Sequence, residues 1–198
     1  MLKLLGRKTS GNVQKVVWLL EELGAPYERE DFGRQFNNID EKYLRLNPNG
    51  KVPTLVDGDV VIWESNSILR YLAGTHNNRF NPADWAARSR AERWMDWQLA
   101  SLDPAFLAIF RDMRNPPEQR SAQFGENVKT LGQTLAIMDR SLEGSPWVAG
   151  KEMSVGDFAL GPVVTRSLAF GVELPALANV RRWAAAVSER PAFKKATS

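Results

Sequence analysis

The stretch Asn47-Pro48-Asn49-Gly50-Lys51-Val52-Pro53-Thr54-Leu55-Val56, followed after a turn by Trp63-Glu64-Ser65-Asn66, decides how this chain is read. Pro53 pushes the β-branched Val52 towards extended geometry, and an X-Pro bond at such a corner has a raised chance of being cis. A corner there leaves the Val52 N–H and C=O unpaired on a sheet edge, where an extended peptide can hydrogen-bond as an added strand would. Ser65 stands where a helix begins, because Ile68, Leu69 and Leu72 follow at helical spacing. Free N–H groups at a helix start attract a carboxylate, and Glu64 beside them attracts an ammonium. A γ-glutamyl peptide has the matching outline: an α-amino group, an α-carboxylate and a backbone to lie along Val52. The plainer readings are a helix cap for Glu64-Ser65 and a solvated side chain for Lys51.

Upstream, Leu2 to Leu5 reads as a short strand closed by Gly6 and the polar loop Arg7-Lys8-Thr9-Ser10-Gly11-Asn12. Val13, Val16, Val17 and Leu20 then recur at i, i+3, i+4 and i+7, with Gln14, Lys15, Glu21 and Glu22 on the other positions. This predicts an amphipathic helix ended by Gly24 and Pro26. Tyr27 to Phe32 can form a second strand, and strand, helix and strand in so few residues imply a right-handed parallel crossover. Asp40 to Leu46 reads as a short helix stopped by Asn47-Pro48. Thr54-Leu55-Val56 and Val60-Val61-Ile62 flank Asp57-Gly58-Asp59, a favoured hairpin turn. With the helix from Ser65 to Ala73 the order is β-α-β-α-β-β-α, that of a thioredoxin-like α/β domain over residues 1–76.

Asn77 to Asp84 changes in texture and reads as a linker, 77–84; residues 85–198 then read as an all-α helical bundle domain. Trp85 to Met113 forms one long pattern, kinked near Pro104. Trp94 and Trp97 on it are assigned to the core or a dimer interface. Asn115-Pro116-Pro117 breaks the pattern, and Glu118 to Leu142 makes an antiparallel partner with Val128, Leu131, Leu135 and Met138 inward. Ser154 and Asp157 have the spacing of a capping box at the next helix start, with Met153 able to staple onto Phe158. A last helix is predicted from Leu177 to Glu189.

Composition narrows the chemistry. The 198 residues are 43% hydrophobic and 25% charged, as in an ordinary globular chain, and 26 basic against 23 acidic residues are interspersed without a basic tract. Nucleic acid is therefore not an expected partner. Without cysteine there is no disulfide, no thiolate nucleophile and no thiolate metal site; a single histidine, His76, read as solvated near a helix end, argues against zinc or iron. The start is too short and charged for a signal peptide, and no apolar run reaches membrane-spanning length, so a cytoplasmic location is expected.

Three motifs together, Lys51-Val52-Pro53-Thr54-Leu55, Trp63-Glu64-Ser65 and Ser154-Val155-Gly156-Asp157, resemble the cytosolic glutathione transferases over nearly the whole chain. The resemblance implies a thioredoxin-like domain followed by a helical one, glutathione as co-substrate, no metal, a homodimer and a role in detoxification. It implies that the Val52 backbone, beside a cis Pro53, pairs with the cysteinyl part of glutathione, and that Glu64 and Ser65 hold the γ-glutamyl group. Lys51 and Gln35 would meet the far end of the ligand. The loop Ser10-Gly11-Asn12 resembles the theta, delta and nu-like branches, in which a hydroxyl at the place of Ser10 donates to the glutathione sulfur; Thr9 and Asn12 are the alternatives. There is neither the Tyr of the alpha, mu and pi pattern nor the Cys of the beta and omega pattern, so a protein mixed disulfide is out.

Taken alone, Ser10 is a simple N-cap of the helix that follows. Phe106, Phe110 and Arg111 lie in the region that lines the electrophile pocket in the family, although aromatics at helical spacing are usually core. The implied activity is attack by the glutathione thiolate on a small electrophile. The alternatives are glutathione-dependent disulfide reduction or peroxidase chemistry of the nu-like type, and a non-catalytic glutathione-binding adaptor on the same fold.

Overall fold

In a computed structural model of residues 1–198, which describes every side chain but that of Arg34, the hydrophobic alternation of the first third builds a four-stranded sheet. Strand β1 (Leu2–Leu5) pairs in parallel with β2 (Tyr27–Glu30), from Leu2↔Tyr27 to Leu5↔Glu30. Strand β3 (Thr54–Asp57) runs antiparallel to β1, with Leu5 opposite Thr54, and β4 (Val60–Trp63) closes the hairpin on it. The order across the sheet is β2-β1-β3-β4. Leu4 and Leu55, opposite each other, are fully buried, as are Val13, Val16 and Leu20 of α1 (Gly11–Leu23) and Ile68, Leu69 and Leu72 of α3 (Ser65–Thr75). These apolar faces are the core of the first unit.

The second strand stops at Glu30, two residues before the expected Phe32, because Phe32 leaves the sheet to stack on Tyr43 with ring centroids 5.0 Å apart. Tyr43 belongs to α2 (Glu41–Leu46), whose first turn is capped by Asp40 accepting the Tyr43 N–H at 2.9 Å. Pro48 follows at once and ends the helix.

The polar side of α1 departs from expectation. Gln14 and Lys15 are buried, Lys15 completely. Lys15, Trp18 and Glu22 share one helical face, and that face is covered by α9 (Pro191–Thr197), a helix absent from the sequence reading. Phe193 meets the Trp18 ring edge-on at 4.9 Å, Lys195 pairs with Glu21 at 2.9 Å, and Arg190 clasps both carboxylate oxygens of Glu22. The chain therefore divides into Met1–Ala83 with Glu189–Ser198 as one compact unit and Asp84–Ser188 as the other, so that the tail falls outside the helical unit to which 85–198 were assigned.

Burial by itself would raise the Glu22 carboxyl, but hydrogen bonds from Arg190 and from the Trp18 indole hold it below its usual value. A lowered carboxyl contributes stability above its unfolded pKa and loses it as pH falls through the folded one. Arg190→Ala, which strands a nearly buried carboxylate, should cost about 1–3 kcal/mol in urea unfolding at neutral pH, with the difference from the parent shrinking below about pH 4. An unchanged midpoint at pH 7 would sink this account of α9.

In the second unit α4 (Trp85–Trp97) runs through a π-helical turn, Gln98–Leu102, into α5 (Asp103–Asp112), which carries Pro104 in its first turn. The expected kink is thus a π insertion placed just before the proline. Helix α6 (Phe124–Ser141) begins six residues later than Glu118. Pro117–Gln119 makes a 3₁₀ turn instead, and the Ser121 hydroxyl and carbonyl accept the N–H groups of Gln123 and Phe124. Leu131, Leu135 and Met138 are fully buried as expected, while Val128 is half-buried. Helices α7 (Val155–Leu168) and α8 (Ala178–Glu189) complete the unit. Gly156 lets α7 pack directly on α4, since a Cβ there would lie 2.7 Å from the Ala91 carbonyl oxygen.

The capping box is present, and its acid does more than cap. Fully buried Asp157 accepts the Ser154 N–H at 2.9 Å and hydroxyl at 3.1 Å on one oxygen, and the Val148 N–H at 3.1 Å and Trp183 indole N–H at 2.8 Å on the other. One carboxylate thereby ties the start of α7 to the preceding turn and to α8.

Candidate functional site

The strand order gathers four loops at one end of the sheet: Gly33 after β2, Gly6-Arg7 after β1, Val52-Pro53 before β3, and Glu64-Ser65 after β4. The Val52-Pro53 bond is cis, and among the described residues neither the Val52 N–H nor its C=O finds a hydrogen-bond partner. The carbonyl just before it is firmly held. Lys51 C=O accepts from the Tyr43 hydroxyl at 2.6 Å and from the Asn47 amide at 2.8 Å. Burial pushes the Tyr43 phenol up, against hydrogen bonds to Thr54 and Asn47, so it stays a donor at neutral pH. The open backbone of Val52 thus projects from a braced corner, ready for a strand-like ligand.

Glu64 sits at φ +69° and ψ +118°, an unusual conformation for a residue with a side chain. Such strain costs about 1–3 kcal/mol and persists only where the surrounding structure over-determines it. Here it places an exposed carboxylate, free of partners among the described residues, immediately outside a helix whose first N–H groups it does not cap. Ser65, the first residue of α3, is buried at 4% exposure. An ammonium beside Glu64 and a carboxylate at the start of α3 are the complementary charges.

Ser10 is the N-cap of α1 by position but not by bonding. Its side chain makes no cap hydrogen bond and has no other partner among the described residues, although the residue is only 8% exposed. The simple-cap reading therefore fails, and a hydroxyl at a helix N-terminus is left available. Asn12 is exposed with its amide unpartnered among the described residues, and Thr9 is exposed. Lys51 and Gln35 are exposed too, Gln35 on a 3₁₀ turn, Arg34–Phe36. The loop that carries it is tied by Asn38, which accepts the Gly33 N–H at 3.0 Å and donates to the Asp31 carbonyl at 2.8 Å.

In the second unit Phe106 is buried and stacks on Phe110 at 5.8 Å and on Phe170 at 5.5 Å, so it contributes to that unit's core. Phe110 is half-buried beneath the Arg114 guanidinium at 5.0 Å, and Arg111 is exposed. Trp94 is buried and meets Trp97 edge-on at 5.1 Å. His76 ends α3, its Nδ1 2.8 Å from the Leu72 carbonyl. Among the described residues no three His, Asp or Glu side chains form a metal-ligand set, and no helix is long and apolar enough to cross a membrane.

Arg7 is the residue the sequence reading passed over. It lies in the loop after β1, and its guanidinium Nη1 is 3.1 Å from where a Gly33 Cβ would stand, a point itself 3.5 Å from Val52 Cγ1. Its place directly behind the strand-closing Gly6 was visible; its neighbours across the sheet were not.

Two family descriptions match the chain: glutathione S-transferase N-terminal domain over residues 9–75 and glutathione S-transferase C-terminal domain over residues 99–191. The chain is 39% identical over 201 aligned residues to glutathione S-transferase GstB of Escherichia coli (strain K12), covering 98% of this chain and 97% of that one. It is similar in structure to the theta class glutathione S-transferase of Xanthomonas axonopodis pv. citri, solved with glutathione bound, at TM-score 0.93 and 35% identity, covering 99% and 96% of the two chains. A glutathione transferase of Burkholderia graminis, solved with two glutathione molecules bound per subunit, superposes at TM-score 0.89 with 30% identity over 99% and 87% of the chains.

Proposed function

The chain belongs to the glutathione S-transferase family, and from that premise we propose that Ser10 donates to the sulfur of a glutathione laid across Val52, holding it as the thiolate. The protein is a glutathione transferase, with glutathione as co-substrate. One observation supports the site above the others. The sheet order sets the unpartnered Ser10 hydroxyl, the open Val52 edge and the Glu64-Ser65 helix start around one end of a single sheet.

A thiol with a pKa near 8.5 is mostly protonated at neutral pH, and each unit of depression needs about 1.4 kcal/mol of preference for the anion. The Ser10 O–H and the N-terminus of α1 both favour that anion, and together they lower the pKa by about one to two units. The sulfur lone pair then attacks an electrophilic carbon, the new C–S bond forms, and the leaving group departs with its electron pair. The protein contributes proximity and stabilisation of the anion. Lys51 and Gln35 meet the far end of the ligand, and Phe110 and Arg111 belong with the electrophile. The family further points to a cytosolic homodimer active in detoxification; exposed Val60, Val61 and Trp63 on the outer strand β4 are available as apolar surface for pairing.

Isothermal titration with glutathione tests the binding half of this reading. Glu64→Gln removes the charge facing the α-ammonium and should weaken binding about 10- to 100-fold; Ser65→Ala, which removes a neutral donor, should weaken it about 3- to 10-fold. No binding by the unaltered protein, or equal binding by both variants, would sink it. A second reading, glutathione-dependent reduction of a second molecule's disulfide, is favoured by the Burkholderia graminis relative with two glutathione molecules in each subunit. There the thiolate attacks a disulfide sulfur and expels the other half as thiolate. Turnover of a disulfide against that of an aryl halide separates the two chemistries.

A further inference from the structure

We propose that Gln14 is a positioning residue for the sulfur-facing hydroxyl, holding the loop between β1 and α1 so that Ser10 keeps its place; the inference rests on the Ser10 reading above. The sequence puts Gln14 on the polar side of α1, yet the residue is only 5% exposed. A buried amide persists where its hydrogen bonds are made, since leaving it unpaired costs free energy. Two hydrogen bonds of Gln14 run to the loop. Its side-chain Nε2 reaches back six residues to donate to the Lys8 carbonyl at 2.9 Å, and its backbone N–H donates to the Ser10 carbonyl at 2.9 Å. One residue thus grips the loop on both sides of Thr9.

The rest of the loop is held from other directions. The Arg7 carbonyl accepts the Ser10 N–H at 3.1 Å, which closes a turn. Arg29, on β2, donates to the Gly6 carbonyl at 2.8 Å. The Arg29 guanidinium, joined by a backbone hydrogen bond from Lys8, holds the Asp31 carboxyl below its usual value. The Ser10 side chain, by contrast, has no partner among the described residues and sits on extended backbone at φ −78° and ψ 122°. Its direction is therefore set by the backbone that carries it. Among the side chains that hold this backbone, Gln14 is buried, whereas Arg29 and Asp31 are half-buried. Loss of its amide donor releases the Lys8 carbonyl and with it the residues just ahead of Ser10. A misplacement of about 1 Å is enough to cost much of a catalytic contact.

The test reads the bound sulfur directly. The full chain saturated with glutathione is titrated with alkali while the ultraviolet absorbance of the thiolate is followed, in the parent, Gln14→Met, Ser10→Ala and the double variant. Gln14→Met keeps the length of the side chain and removes the donor; Gln14→Leu, which also lacks it, takes its place should the methionine variant fold poorly. Gln14→Met should raise the midpoint by about 0.5–1 pH unit, less than Ser10→Ala does, while glutathione affinity changes less than about 3-fold. The double variant should titrate with Ser10→Ala, because both substitutions act through one hydroxyl and their effects cannot add. A midpoint that Gln14→Met leaves unchanged, or one that rises further in the double variant than in Ser10→Ala, overturns the positioning role while leaving Ser10 as the donor. A Ser10→Ala midpoint equal to the parent's overturns the Ser10 reading, and this inference with it.

Discussion

Ser10→Ala lowers turnover about 5- to 20-fold at neutral pH while changing glutathione affinity less than about 3-fold, the expected result if its hydroxyl supplies most of the one to two units of thiol pKa that it and the N-terminus of α1 give together. The split between rate and binding follows from where the contacts lie. In the proposed site the affinity would come from the Val52 backbone and from Glu64 and Ser65, whereas Ser10 would meet only the sulfur and favour only its anion. The pH profile is the sharper readout. Removing the donor moves the midpoint of the rising limb back towards about 8.5, so the variant approaches the parent rate above that pH and falls behind it below. A structural role for Ser10 would lower the rate at every pH. Capping does not compete as an explanation, since the Ser10 side chain makes no cap hydrogen bond to α1. A profile that does not move assigns the donor role to another group of the loop, and Asn12 and Thr9 are then the substitutions to make.

What could be read from the chain was local. The hairpin at Asp57-Gly58-Asp59, the cis corner at Val52-Pro53 and the helix start at Ser65 each have a signature within a few residues, and each stands where the signature puts it. What escaped depends on partners distant in sequence. Lys15 reads as a surface lysine until α9, some 180 residues later, covers its face of α1. Helix α9 itself is only seven residues long and carries its apolar contacts at Phe193 and Ala196, too few for periodicity to show. Arg7 looks like one more polar loop residue because Gly33 and Val52 reach it only when β2 and β3 flank β1. Ser10 lies between the two cases. Its position as a helix start was legible, but a free hydroxyl and a capping one have the same sequence.

The largest effect on stability is expected at Asp157. The sequence presents it as half of a capping box, which would be worth about 1 kcal/mol. The structure makes it the acceptor for the Ser154 N–H and hydroxyl, the Val148 N–H and the Trp183 indole, all inside the second unit. Asp157→Ala strands buried donors from three segments at once and should cost about 3–5 kcal/mol in urea unfolding, against about 1 kcal/mol for Ser154→Ala, whose backbone N–H keeps its partner. Asp157→Asn keeps the shape but turns an N–H₂ towards donors, and should fall between the two. Burial raises the Asp157 carboxyl, with the hydrogen bonds from Trp183, Ser154 and Val148 opposing it only in part. The folded state therefore holds a proton that the unfolded chain releases near pH 4, so this group's contribution to stability is complete below that pH and declines as pH rises towards the folded pKa. Asp157→Asn has no proton to release, and its stability should lack that decline. Equal losses for Asp157→Ala and Ser154→Ala would reduce the carboxylate to an ordinary cap, and an identical pH slope in parent and Asp157→Asn would mean that Asp157 is ionised when folded.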